Sequence, residues 1–97
     1  MLFRSLGIAF PAEDASAEVQ FEALIRAIDA AMKAEWTTKH MFDEIVVKFP
    51  GGVAKTLRET EFEKCIQIIE LMAPTSVLAT AQGTQVMREL FDMLAAG

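Results

Sequence analysis

A chain of 97 residues with 53% hydrophobic side chains is enough for one domain, and folding at that size buries somewhat over 60% of the unfolded surface. No apolar run approaches the ~18–20 residues of a membrane-crossing helix, which sets membranes aside as partners and makes a soluble, cytoplasmic chain the expectation. A net charge of −5, with the central cations dispersed rather than clustered, matches nucleic acid poorly, and the lone Cys65 excludes an internal disulfide and fits a reducing compartment.

Charge is uneven along the chain. Residues 1–32 carry two cations and five anions, residues 33–58 five and three, and residues 59–97 two and six. The acidic ends could face a basic partner, although a solvated surface is the commoner cause of such a pattern.

In chain order, residues 1–10 are apolar but too short for a signal peptide and lack its small-residue cleavage site. Met1 to Ser5 look like the translation of a common sequencing-library adaptor, and residues 1–10 are read as a candidate disordered or artefactual extension. Pro11-Ala12-Glu13-Asp14 reads as a helix start, with Ser16 as the alternative cap. Phe21, Leu24, Ile25, Ile28, Met32 and Trp36 recur at three- and four-residue spacing, predicting a first helix over roughly 12–36. Glu22 stands four before Arg26, and Asp29 four before Lys33, the orientation that favours helix ion pairs.

Thr37-Thr38 offers a cap for a second helix over about 38–49, whose apolar face is Met41, Phe42, Ile45, Val46 and Phe49. The rival is a β-hairpin, since Ile45-Val46-Val47 is β-prone and could pair with 53–58 across Pro50-Gly51-Gly52. Helical spacing and the Glu44–Lys48 pair favour the helix. Proline and two glycines then predict a stop and a turn.

Gly51-Gly52-Val53-Ala54-Lys55-Thr56 resembles the deviant Walker A box of the partition and septum-site ATPase family. The resemblance implies a phosphate-cradling loop after a strand, with Lys55 on the phosphates and Thr56 on magnesium. It covers six residues of 97; Ala54 stands where the pattern needs glycine, and Pro50 where the deviant form needs its extra lysine. A turn is therefore the expected reading, and a nucleotide-binding fragment the remote alternative. No cofactor is expected.

Thr56-Leu57-Arg58-Glu59 and Thr60-Glu61-Phe62-Glu63 are both capping boxes, and the second is read as the start of a third helix. Its stripe is Phe62, Cys65, Ile66, Ile69 and Met72, and Pro74 closes it. Thr75 or Ser76 caps the next helix. Val77, Leu78 and Ala81 precede Gly83; Val86, Met87, Leu90, Phe91 and Leu94 come after it. The reading leans to two helices split at Gly83 with Thr84 as cap, against one helix with a soft point there. An all-α single-domain bundle of four to five short helices over residues 1–97 is the predicted fold.

Chemistry has little to stand on. His40 and Glu44 share a helical turn, but two ligands make no zinc site, and no metal is expected. Cys65 lies on an apolar stripe and is expected to be buried and inert. Glu59, Glu61 and Glu63 fit capping better than acid–base work, so no catalytic set is predicted and the chain is expected not to be an enzyme.

Six methionines carry the functional hint, because unbranched side chains adapt to partner surfaces. Core filling is favoured for Met72 and Met87, whereas Met93 falls off its stripe and is expected to be exposed. The candidate interaction face is accordingly Val86, Met87, Leu90, Phe91, Met93 and Leu94. It predicts a protein-interaction module (an adaptor, small subunit or inhibitor), with homodimerisation as one use. The alternative is an acidic immunity- or anti-defence-type inhibitor docking a basic target site.

Overall fold

The computed structural model describes residues 2–3, 8–9, 12, 14–49 and 60–96. Leu2–Phe3 (β1) and Ile8–Ala9 (β2) pair as a short antiparallel ladder, with Leu2 opposite Ala9 and Phe3 opposite Ile8. Backbone hydrogen bonding thus reaches into residues 1–10, the stretch read as a disordered or artefactual extension. The rest is an all-α bundle: α1 (Ala17–Lys33), α2 (Thr38–Met41), α3 (Phe62–Met72) and α4 (Ala81–Ala96).

Ser16 caps α1, its Oγ accepting the Val19 N–H at 3.3 Å, so the helix starts after the Pro11–Asp14 segment rather than within it. Leu24, Ile25 and Ile28 are buried, and Ala27 and Ala31 beside them are fully buried, which lets neighbours approach the helix closely. The helix stops at Lys33, three residues short of the predicted end. Glu35 adopts φ 62°, the Glu35 N–H donates to the Met32 carbonyl and the Trp36 N–H to the Ala31 carbonyl, each at 3.0 Å. That is the Schellman arrangement, with glutamate at the position glycine usually takes. Trp36 consequently leaves the helical stripe.

Thr37 caps α2 by accepting the His40 N–H at 3.1 Å. At Phe42 the helix widens into a π-helical turn, Phe42–Val46, whose exit is marked by the Val47 N–H donating five residues back to Phe42 at 3.0 Å. The β-prone Ile45-Val46 pair is thus helical, and the hairpin reading fails there. Met41, Ile45, Val46 and Phe49 are all buried as one face.

Glu61, not Thr60, is the first flanking residue of α3, and its side chain makes no capping bond. Ala73 then ends the helix, its N–H donating to Ile69 at 2.8 Å, and Pro74 follows. A 3₁₀ turn, Val77–Ala79, precedes α4; Ser76 caps it by accepting the Leu78 N–H at 3.1 Å.

The break before α4 falls at Thr80, not at Gly83. Thr80 Oγ1 accepts the Gly83 N–H at 3.2 Å and donates to the Val77 carbonyl at 2.5 Å, so threonine four residues upstream does the capping expected of Thr84. Gly83 lies inside the first turn of an unbroken helix and is buried. A Cβ there would collide with the Leu78 Cα and the Val77 carbonyl oxygen. Glycine is present for close approach of two backbones, not for a helix break.

Polar contacts also join distant segments. Asp29 Oδ1 accepts the Ser76 hydroxyl at 2.8 Å and the Val77 N–H at 3.0 Å, while Oδ2 pairs with Lys33 at 3.0 Å. The Thr38 hydroxyl donates to Glu89 at 2.7 Å, tying α2 to α4. One core unites Leu24 and Ile28 of α1, Ile45 of α2's π turn, Cys65 and Ile69 of α3, Leu78, and Met87 and Leu90 of α4.

Candidate interaction face

The side chains predicted to form an open face on α4 mostly face inward. Met87 is 1% exposed, Leu90 1% and Leu94 3%, so these three belong to the core. Val86, Phe91 and Met93 are half-buried. Phe91 meets Phe62 edge-on, ring centroids 5.5 Å apart, and the Arg88 guanidinium sits 4.4 Å above the Phe62 ring. Those contacts occupy much of what the six residues could offer a partner. Met93 is not the exposed methionine that its position off the stripe suggests.

Among the described residues, large apolar side chains are exposed at Val19 of α1, at Val47 after the π turn, and at the adjacent Leu71 and Met72 of α3. Leu71 is 83% exposed and Met72 41%, the latter against the expectation of core filling. For Leu71 the cause is helical phase. Cys65 and Ile69 point into the core, and Leu71, two residues past Ile69, lies about 200° round the helix axis. Glu63 and Gln67 lie on the same outer row at four-residue steps, with Lys64 and Glu70 beside it, all exposed. An apolar tip thus ends a strip in which Glu63 and Glu70 outnumber Lys64. The signal was present in the sequence, because Leu71 falls off the Phe62–Ile69 stripe.

The remaining candidates resolve individually. Exposed His40 stacks on Trp36, ring centroids 3.9 Å apart and planes within 10°, while Glu44 pairs with Lys48 at 2.9 Å. His40 and Glu44 therefore have separate partners, and among the described residues no group of three or more His, Cys, Asp or Glu could hold a metal ion. The Glu22–Arg26, Asp29–Lys33 and Glu44–Lys48 pairs all form; Lys39–Asp43 at 2.8 Å adds a pair that sequence reasoning missed. Cys65 is fully buried, and burial pushes its thiol up to about 12, far from a reactive thiolate. Glu61, flanking α3, and Glu63 in its first turn are exposed. The Gly51–Thr56 stretch, its phosphate-loop and turn readings, the first capping box and Glu59 lie outside the described residues.

Asp29 is the polar residue whose role no motif announced. Partial burial pushes its carboxyl up, but hydrogen bonds from Ser76, Lys33 and the Val77 N–H outweigh this and hold it below the ordinary aspartate value. Gln20 is a buried polar side chain: its Nε2 donates to the Ala12 carbonyl at 2.7 Å, and its buried Oε1 has no hydrogen-bond partner among the described residues. No described helix is long and apolar enough to cross a membrane. No protein-family model, curated protein or solved structure matches the chain.

Proposed function

We propose that the chain is a non-enzymatic protein-interaction module that engages its partner through the outer face of α3. The observation that carries this reading is Leu71, a large aliphatic side chain left 83% exposed while the core closes without it. A lone exposed apolar residue is ordinary on a protein surface; here Met72 extends it and Glu63 and Glu70 rim it. Such a face fits a protein that presents an apolar contact flanked by basic side chains. A second copy of this acidic chain is the weaker fit, because like charges would be brought together.

The acidic-inhibitor reading is a stronger form of the same proposal and differs in salt dependence. A charge-steered inhibitor loses association rate as ionic strength rises, whereas contact through Leu71 alone does not. The test is a pull-down from the native host with wild-type and Leu71→Lys baits, alongside light scattering of both proteins. A partner retained by the wild type and lost by the variant supports the proposal. Equal recovery by both baits removes α3 from the interface, and a wild-type dimer that Leu71→Lys dissolves replaces the basic partner with a second copy.

A further inference from the structure

No further inference is drawn: the strongest candidate, the shallow cavity of about 230 Å³ between α1 and the loop after α3, lined by Arg26, Asp29, Lys33, Thr75 and Ser76, carries nothing because its two cations are already paired with Glu22 and Asp29 and nothing in the structure shows what would fill it.

Discussion

Asp29 accepts the Ser76 hydroxyl at 2.8 Å across 47 residues of chain, and the contact ties the middle of α1 to the turn from which α4 departs. Because the acceptor is a charged, partly buried carboxylate, Asp29→Ala is expected to cost about 1.5–3 kcal/mol at neutral pH, read from urea unfolding. The pH dependence has a definite sign. Hydrogen bonding holds the native carboxyl below its ordinary value of 3.8, so its contribution is present above pH 3.8 and is lost as pH falls through the native value. Wild-type and Asp29→Ala stabilities should therefore draw together progressively below pH 3.8. A gap that stays constant into acid would show that the carboxylate's charge is immaterial.

Gly83→Ala should be among the most damaging small substitutions in the chain. The added methyl meets the backbone at Leu78 and Val77, which cannot rotate aside as a flexible side chain would. Overpacking of this kind costs about 1–3 kcal/mol, and against rigid backbone the upper end is expected, above the ~1 kcal/mol that alanine contributes over glycine within a helix. Thermal unfolding distinguishes the outcomes: a fall in midpoint is expected, and a rise would mean that the two backbones are not in contact.

Glu35→Gly is expected to stabilise. Glutamate holds φ 62° at the end of α1, a region that glycine enters without steric penalty. The expected gain is about 0.5–1 kcal/mol, partly offset by the greater freedom of glycine in the unfolded chain. Destabilisation on chemical unfolding would argue against the left-handed cap.

Cys65 should resist thiol reagents under native conditions and react only as fast as the protein opens. Burial raises the native thiol from 9.0 to about 12, so its contribution to stability is intact below pH 9.0 and is lost as pH rises towards 12. Cys65→Ala should flatten the alkaline fall in stability, although the smaller side chain lowers stability at neutral pH. Rapid labelling of the native protein would place the thiol at the surface.

Much of this architecture was readable from residue spacing. The α1 stripe, the Met41–Phe49 face and three intrahelical ion pairs all follow from three- and four-residue periods, which local geometry enforces. What escaped depended on contacts between distant segments. Gly83 looks like a helix breaker until Leu78 is found against it, and Asp29 looks like half of a surface pair until Ser76 arrives. The end of α1 was misplaced because a glutamate, rather than glycine, takes the left-handed position.

The open apolar face was expected on α4 for a related reason. A wide apolar stripe on α4 looks surplus when helices are considered singly. In the bundle, Met87, Leu90 and Leu94 are absorbed by the core, while Phe91 and Arg88 pack on Phe62. Leu71, isolated from its own stripe, is the large apolar side chain left most exposed among the described residues. Which apolar residue remains in water depends on how many helices surround the core, and no single periodicity reports that number.

The division between a buried α4 stripe and an open α3 tip is tested most directly by unfolding Leu71→Lys and Leu90→Lys side by side in urea. Leu71→Lys should stay within about 0.5 kcal/mol of the wild type, as expected for an exposed site near a helix C-terminus that tolerates a cation. Leu90→Lys buries an unpaired charge and should abolish the cooperative transition. The opposite pattern, with Leu71→Lys unfolding the protein and Leu90→Lys tolerated, would contradict the account and return the open face to α4.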